Sequence, residues 1–366
     1  MHFDFLIYYG SGKAPGGPPG LQIRGSGHKL EGGFDSHALP PIIAKGRRAK
    51  SNMKALITGS NGFVGGYLAS ALLEKKWSVV GLAEKHTKAT NHKVIRCNIL
   101  DKGSLSSTLS KTRPDVVFHL AAQSSVPKAV ENPTATFRVN IDGTINLYDA
   151  ILDTFHRQNR PRIIYISSGD AYGFVQPREN PINELQPLRP QNPYALSKAI
   201  ADTFSQLYAK SKSLDVVVLR PFNHIGAGQS PQFVTPAFAK QIAEIEGEKQ
   251  PAIIKVGNLN VTRDFLDVRD VVRAYILAVE KCRAGDVYNI TSGRGVKIKD
   301  ILTKLLSLTD VKIKVKVDKG ILRRGETSIC IGNSGKFRRL TGWRPKISLK
   351  KSLSDILEYW RRGVYR

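Results

Sequence analysis

Residues 53–66 read MKALITGSNGFVGG, a short apolar run followed by three spaced glycines and a second apolar run. The first run, KALIT at 54–58, is typical of a buried strand, and the second has helical spacing. Gly59 permits a tight turn between them, Gly62 lets the backbone approach a ligand, and Gly65 lets the helix pack closely on the strand. Because a helix N-terminus behind such a turn binds phosphate, the segment predicts a dinucleotide-binding strand–turn–helix unit.

The pattern of strand and helix continues beyond this unit. Further apolar, β-branched runs typical of strands are SVVGL (78–82), VIRC (94–97), DVVFHL (115–120), RIIYIS (162–167) and DVVVLR (215–220). Helical spacing separates them at 63–75, 101–111, 134–157 and 193–210. Continuous Val/Ile runs between helices are typical of a parallel sheet covered on both faces. The sequence therefore predicts an α/β fold with a Rossmann-type, doubly wound parallel sheet.

The chain divides into three predicted regions. Residues 1–52 are rich in glycine and proline and lack periodicity, which predicts a disordered extension. An organellar transit peptide is the alternative for this segment. Residues 53–222 form the predicted Rossmann domain. Residues 223–366 form a predicted smaller α/β region that mainly binds substrate, with helices near 231–247, 268–281, 297–307 and 348–362.

The composition restricts the class of protein. The net charge of +26 indicates an anionic partner or simply a basic, solvated surface. The cations are spread along the chain without an RNA-binding signature, so we expect no nucleic-acid partner. No apolar run is long enough to span a membrane. Cys97, Cys282 and Cys330 are far apart, which favours a reducing, cytoplasmic setting and predicts no metal site.

The end of the second strand bears on the choice of dinucleotide. An acidic residue there would bind the ribose 2′-hydroxyl of NAD. Ala83 occupies the expected position, with Glu84 beside it, and Lys85, His86 and Lys88 follow. These cations can accept a 2′-phosphate or form a solvated loop. NADP(H) is therefore favoured, and NAD(H) is the alternative.

A serine, a tyrosine and a lysine form a candidate catalytic set. Ser168 follows the strand RIIYIS, and Tyr194 and Lys198 are four residues apart on one predicted helix face. A neighbouring ammonium would stabilise the phenolate and lower the pKa of Tyr194 towards neutral pH. The phenol could then exchange a proton with a substrate oxygen that Ser168 also binds. The three residues predict alcohol–carbonyl redox chemistry beside a nicotinamide.

Eight motifs resemble the extended short-chain dehydrogenase/reductase superfamily, in its nucleotide-sugar branch, over residues 53–363. They are TGSNGFVG (58–65), HLAAQSSV (119–126), FRVNIDGT (137–144), ISSGDAYG (166–173), NPYALSK (192–198), LRPFNHIGAGQ (219–229), VTRDFLDVRDV (261–271) and RRGE (323–326). YISSGDAYG, RPFNHIGAGQ and RDFLDV are most similar to the GDP-4-dehydro-6-deoxy-D-mannose reductases. The resemblance implies reduction of a 4-keto GDP-sugar to GDP-D-rhamnose in a homodimer whose interface uses the helices at 134–157 and 193–210.

The resemblance also implies roles for individual residues. The catalytic set is Ser168, Tyr194 and Lys198, and Lys198 would also bind the nicotinamide ribose. The cofactor-binding residues are Gly59, Asn61, Gly62, Phe63, Val64, Gly65, Leu120, Ala121, Tyr194 and Lys198. The substrate-binding residues are Ser125, Asp170, Asn223, Arg263, Arg323 and Glu326. Asn98 stands where relatives often have an adenine-contacting Asp, and His119 is expected to be a core histidine.

Asp170 separates reductase from dehydratase chemistry. A 4,6-dehydratase must abstract the C5 proton, and dehydratases of this superfamily have Thr-(Asp/Ser)-Glu where this chain has Ser168-Gly169-Asp170. Asp170 is one methylene shorter than that Glu, so we expect it to orient the sugar or cap a turn. A GDP-mannose 4,6-dehydratase, possessing reductase activity or lacking it, and a nucleotide-sugar 4-epimerase stay as alternatives. An RNA-binding protein on a retired Rossmann scaffold is a further one, which the intact Ser/Tyr/Lys set argues against.

Overall fold

Apolar, β-branched segments form the strands of one large sheet in the computed structural model, which describes residues 52–85, 90–318, 320 and 327–364. The predicted disordered extension thus lies outside the described residues, apart from position 52. His86, Lys88, Arg323 and Glu326 lie outside them as well.

The described residues contain thirteen strands and eleven α-helices. The strands are β1 (Lys54–Thr58), β2 (Ser78–Ala83), β3 (Lys93–Arg96), β4 (Val116–His119), β5 (Arg162–Ile166), β6 (Val216–Pro221), β7 (Asn223–Ile225), β8 (Ile253–Val256), β9 (Thr262–Asp267), β10 (Val287–Ile290), β11 (Gly295–Lys297), β12 (Lys314–Val317) and β13 (Ile329–Cys330). The helices are α1 (Phe63–Glu74), α2 (Lys102–Thr112), α3 (Val126–Glu131), α4 (Pro133–Phe137), α5 (Gly143–Thr154), α6 (Pro193–Ser211), α7 (Val234–Glu246), α8 (Val268–Lys281), α9 (Ile298–Leu306), α10 (Gly335–Thr341) and α11 (Leu349–Val364).

The main sheet has seven parallel strands in the order β3-β2-β1-β4-β5-β6-β10. The register pairs Thr58 with His119 and His119 with Tyr165, so β1, β4 and β5 end at the same edge. In open α/β sheets ligands bind outside the carboxyl ends of the strands. This edge therefore carries the glycine turn after β1 and Ser168 after β5.

Helices cover both faces of the main sheet, which confirms the predicted Rossmann-type fold. One apolar core joins the sheet to α1 and α8, and a second core on the other face joins it to α2 and α5. A third core packs α7, α9 and α11 together in the C-terminal half. Strand β10 comes from beyond residue 222 and completes the main sheet. The division at 222 into two domains stays a prediction.

The long helix predicted at 134–157 is interrupted. A π-helical turn at Arg138–Asp142 separates α4 from α5, and α5 ends at Thr154. Periodicity alone also missed the short helices α3 and α10. Within the described part of the chain, no helix is long and apolar enough to cross a membrane.

Candidate active site

The glycine turn after β1 is built as the sequence predicts. Gly59 has φ +69°, and a Cβ atom there would lie 2.9 Å from the Cα of Ala121. A Cβ on Gly65 would lie 2.5 Å from the carbonyl oxygen of Gly59. Gly62 is the N-cap of α1 and provides no side-chain cap, so the first N–H groups of the helix, including those of Phe63 and Val64, remain for a ligand.

The segment after β4 packs directly against this turn. The N–H of Ala121 donates to Thr58 Oγ1 over 3.1 Å, which holds Leu120 and Ala121 beside Gly59. Thr58 Oγ1 is in turn 2.7 Å from Nδ1 of His119. The predicted cofactor residues from the two strand ends therefore lie together.

His119 is a core histidine, as expected. Its side chain is buried, and its second ring nitrogen, Nε2, lies 3.0 Å from Thr144 Oγ1. Thr144 Oγ1 donates to the carbonyl oxygen of Asn140, so it accepts from His119 Nε2–H, and Thr58 Oγ1 donates to Nδ1. Burial and the nearby charge of Lys198 lower the pKa of His119 to about 3. The imidazole is therefore neutral and structural.

A cavity of about 740 Å³ opens beside the N-terminal half of α1. Its walls include Ser60, Asn61, and residues 90–92 before β3. Ser60 Oγ, Asn61 Oδ1 and His92 Nε2 are all buried without a hydrogen-bond partner. Buried polar atoms without partners indicate that a ligand or water completes the site. Together with the close glycine turn, these atoms fit a bound dinucleotide, and His92 is a lining residue that the sequence patterns did not indicate.

Ser168 and Tyr194 meet at the sheet edge. Ser168 lies two residues beyond the end of β5 and caps a 3₁₀ turn at Gly169–Tyr172, where its Oγ accepts from the N–H of Asp170 over 3.1 Å. Tyr194 lies in the first turn of α6, whose N-cap Asn192 accepts from the N–H of Ala195. The Ser168 hydroxyl is close enough to the Tyr194 phenol to act on its pKa, which it lowers. The two residues thus share one small, mostly buried site.

The prediction that Lys198 lowers the pKa of Tyr194 is wrong. Burial is the main effect on Tyr194 and raises its pKa, and the Asp170 carboxylate raises it further. The Nζ of Lys198 instead donates to the carbonyl oxygen of Ile166 over 2.6 Å and lies 5.1 Å from the Tyr165 ring centroid. Tyr194 is therefore a protonated phenol at neutral pH, the form that a proton donor needs.

Burial also acts on Lys198 itself. It lowers the pKa of the ammonium to about 8, with the charge of Asp202 opposing the shift. Asp202 forms a buried, two-pronged ion pair with Arg220 at 2.8 and 2.9 Å. This pair ties α6 to β6 and so fixes the helix that carries both Tyr194 and Lys198.

Those predicted substrate residues that the structure describes lie at the same end of the molecule. Asp170 is exposed and close enough to Tyr194 to act on its pKa. The charges of Asp170 and Arg263 are both close enough to Cys330 to act on its pKa. Asn223 begins β7, which pairs with β9, the strand of Arg263. Ser125 is the N-cap of α3, its Oγ accepting from the N–H of Lys128 over 3.4 Å.

Sequence reasoning missed two residues of this region. Asn140, in the π-helical turn, donates to the carbonyl oxygen of Gln123 and to Ser197 Oγ, and its Oδ1 accepts from the N–H of Gln123. It thereby fixes the segment after β4 against α6. The motif FRVNIDGT contains Asn140, but its helical periodicity concealed the extra residue of the π-helical turn. Cys330 was treated only as a distant thiol, whereas burial raises its pKa to about 12 beside Asp170.

Among the described residues, no group of three or more His, Cys, Asp or Glu side chains could hold a metal ion.

Comparison with known proteins decides the family. A family model described as GDP-mannose 4,6 dehydratase matches residues 56–356. The chain belongs to this family. The resemblance to the extended short-chain dehydrogenase/reductase superfamily is thereby confirmed.

The chain is also similar to a curated sequence and to a solved structure from Pseudomonas aeruginosa. A GDP-6-deoxy-D-mannose reductase is 36% identical over 313 residues, which are 85% of this chain and 98% of the relative. The solved structure of RMD complexed with NADPH has a TM-score of 0.76 at 35% identity and covers 85% of this chain and 99% of its own.

A third relative binds the other dinucleotide. The Thermus thermophilus UDP-glucose 4-epimerase, solved in complex with NAD, has a TM-score of 0.74 at 27% identity and covers 84% of this chain and 99% of its own. The prediction of an NAD(P)-dependent nucleotide-sugar enzyme is confirmed at the level of enzyme class. The relatives leave the choice of dinucleotide open.

Proposed function

We propose that this protein reduces the 4-keto group of GDP-4-dehydro-6-deoxy-D-mannose with NADPH and produces GDP-D-rhamnose. The observation that carries the proposal is that Ser168 and Tyr194 lie close together at the sheet edge that also bears the glycine turn. The relative named GDP-6-deoxy-D-mannose reductase supports the substrate.

The residues of the pair have distinct tasks in this reaction. A nicotinamide bound at the site supplies the hydride to C4. Tyr194, held protonated by burial, donates its phenolic proton to the oxygen that becomes the alcohol. Ser168 donates a hydrogen bond to the same oxygen and stabilises the charge that develops there. Lys198, half charged at its pKa of about 8 and charged at lower pH, binds the ribose and supports the local positive potential.

Two features support NADPH over NADH. Strand β2 ends at Ala83, where an NAD enzyme would place an acid for the ribose hydroxyls. The cavity beside α1 is lined by Ser60, whose Oγ has no partner and can donate to a 2′-phosphate. Glu84 is exposed beside Ala83 and is the feature that would favour NADH.

The GDP moiety is assigned to the C-terminal half. Arg263, like Asp170, is close enough to Cys330 to act on its pKa, and a guanidinium can bind a diphosphate through two parallel hydrogen bonds. Asn223 lies on the adjacent strand. Arg323 and Glu326 are assigned to the nucleotide through the resemblance alone. The same proposal gives Ser125 and Asp170 contacts with the hexose.

A second candidate function is GDP-mannose 4,6-dehydratase activity, which the description of the matching family model favours. That reaction needs a base at C5 near the sugar. Asp170 is exposed and adjacent to Tyr194, but Gly169 before it has no side chain and Asp170 is shorter than Glu. Incubation with GDP-mannose and the oxidised dinucleotide tests this function, because a dehydratase forms a 4-keto-6-deoxy product without any added reductant.

The decisive assay supplies freshly made GDP-4-keto-6-deoxymannose with NADPH or NADH. We expect dinucleotide oxidation with stoichiometric formation of GDP-rhamnose, at a higher kcat/KM with NADPH. The sugar configuration at C4 is read from the purified product by NMR. Formation of the C4 epimer would change the product, and the absence of oxidation with either dinucleotide would contradict the reductase proposal.

We also propose that the protein is a homodimer in the cytoplasm. The exposed face of α6 carries Leu196 and Leu207, which are 39% and 52% exposed and stand three helical turns apart. The three free thiols at Cys97, Cys282 and Cys330 suit a reducing compartment.

A further inference from the structure

Three arginines line a cavity of about 400 Å³ in the C-terminal half, and none of its lining residues is shared with the cavity beside α1. Arg338 and Arg339 lie in the last turn of α10. Gly342 ends this helix with φ 71°, and Arg344 follows it. Arg294 adds a further positive charge close enough to act on the pKa of Arg338.

The charges of these arginines are not neutralised by the protein. In the described ranges of the chain, no carboxylate forms an ion pair with Arg338, Arg339 or Arg344. Asp264 acts on Arg338 at longer range, but its oxygens already accept hydrogen bonds from Ser292 and from the N–H of Gly293. Like charges around one cavity raise the free energy of the folded chain unless an anion binds between them.

Arg338 is held in place with part of its guanidinium unused. Its Nη2 donates to the carbonyl oxygen of Ser292 over 2.7 Å, whereas its Nε is buried without a partner. Burial and then the charge of Arg344 hold the pKa of Arg338 below its ordinary value. A buried donor without a partner indicates that something outside the chain completes it.

The backbone that presents Arg344 is fixed before any ligand arrives. Trp343 is buried, and its indole N–H donates to the carbonyl oxygen of Asp270 over 3.1 Å. The Asp270 carboxylate accepts from the N–H groups of Lys346 and Ile347 over 2.8 and 2.9 Å. Such a preformed frame lowers the entropic cost of binding.

We propose that this arginine cluster (Arg338, Arg339 and Arg344) binds a phosphate group, either inorganic phosphate or the phosphomonoester of a small metabolite, at a site apart from the Ser168–Tyr194 pair. A guanidinium fork matches two phosphate oxygens, and three forks around one cavity match a tetrahedral dianion. Attraction between Arg338, Arg339 and the C-terminal dipole of α10 is the simpler explanation for the charges. It does not account for Arg344, for Arg294 or for the unused Nε of Arg338.

The test compares three proteins by titration calorimetry with inorganic phosphate and with ribose 5-phosphate at constant ionic strength. They are the wild type, R339Q/R344Q and the control K299Q/K350Q, which removes the same charge from two exposed positions. The side chains of Arg339 and Arg344 form no hydrogen bond within the described residues, so R339Q/R344Q should fold normally. We expect phosphate binding at least tenfold weaker in R339Q/R344Q and unchanged in the control.

Thermal unfolding gives the second readout. In chloride buffer R339Q/R344Q should be at least as stable as the wild type, because two repelling charges are gone. Phosphate should raise the Tm of the wild type and the control more than that of R339Q/R344Q. Phosphate binding at the active site is common to all three proteins and does not produce this difference. Equal phosphate affinities in the three proteins would overturn the proposal, and tighter binding of ribose 5-phosphate would identify an organic ligand.

Discussion

The pKa of Tyr194 suits a reduction, although it is shifted in the opposite direction to the one predicted. A lysine four residues on was expected to lower its pKa, yet burial and the Asp170 carboxylate raise it. For a reduction this is the useful direction, because the phenol must hold its proton until the substrate oxygen becomes basic.

The change Tyr194→Phe tests this role. We expect kcat to fall by a factor of roughly 10² to 10⁴, the usual contribution of a general acid, while the Kd for the GDP-sugar stays within about twofold. Tyr275→Phe is the matched control, because this tyrosine is also buried and its hydroxyl has no partner in the described structure. Steady-state kinetics and calorimetry measure both quantities, and near-normal turnover in the Tyr194 variant would refute the assignment.

Lys198 leads to a prediction about stability and pH. Its pKa is about 8 in the folded chain, below the usual value of 10.5, so the unfolded chain binds more protons between these pH values. Stability from this group therefore rises as the pH increases from 8 towards 10.5. At about 1.4 kcal/mol per unit, the gain is roughly 3 kcal/mol.

Comparison with Lys198→Met isolates that effect, because all other titrations are shared. The difference in free energy of unfolding, wild type minus variant, should increase between pH 7.5 and 10, as measured by urea denaturation. A flat difference over this range would show that Lys198 has an ordinary pKa. Turnover of the wild type should fall over the same range as the ammonium loses its charge.

Helix α1 allows a matched test at the level of an element, because Gly65 and Gly66 are adjacent in it. A Cβ on Gly65 would lie 2.5 Å from the backbone oxygen of Gly59, whereas a Cβ on Gly66 meets nothing within 4 Å. We expect Gly65→Ala to destabilise the protein by about 1–3 kcal/mol through overpacking and to weaken NADPH binding at least tenfold. Gly66→Ala should stabilise it by about 0.5–1 kcal/mol through helix propensity.

Chemical denaturation and fluorescence titration with NADPH measure the two effects. Similar stability of the two alanine variants would mean that the turn can relax away from α1. Loss of stability in Gly65→Ala without loss of NADPH affinity would separate packing from phosphate binding.

Local signals in the sequence were sufficient for the elements whose pattern is local. The strands of the main sheet up to β6 and the turn at Gly59 follow from period, propensity and glycine spacing. The π-helical turn at Arg138–Asp142 was missed because it adds one residue to an otherwise helical pattern. The direction of the Lys198 side chain could not be predicted either, because the Ile166 carbonyl that binds it lies 32 residues away.

At the level of the whole molecule, contacts distant in sequence were the hardest to predict. Strand β10 pairs with β6 although about 70 residues separate them in the chain. The arginine cluster likewise needs Ser292 and Asp264, which no local pattern joins to α10. The motifs predicted which residues belong to the site, and packing decides how each side chain is used.

The proposed dimer provides the last test. Leu196 and Leu207 stand on the exposed face of α6, with the less exposed Ile200 and Phe204 between them. In a two-fold dimer this stripe would contact its own copy, so Leu207→Glu would bring two carboxylates into one apolar interface. We expect association to weaken at least tenfold, measured by sedimentation equilibrium at micromolar concentration. Leu185→Glu is the control, because Leu185 is 92% exposed in a loop and outside this stripe. A wild-type protein that sediments as a monomer at these concentrations would contradict the dimer, whereas equal effects of both variants would place the interface elsewhere.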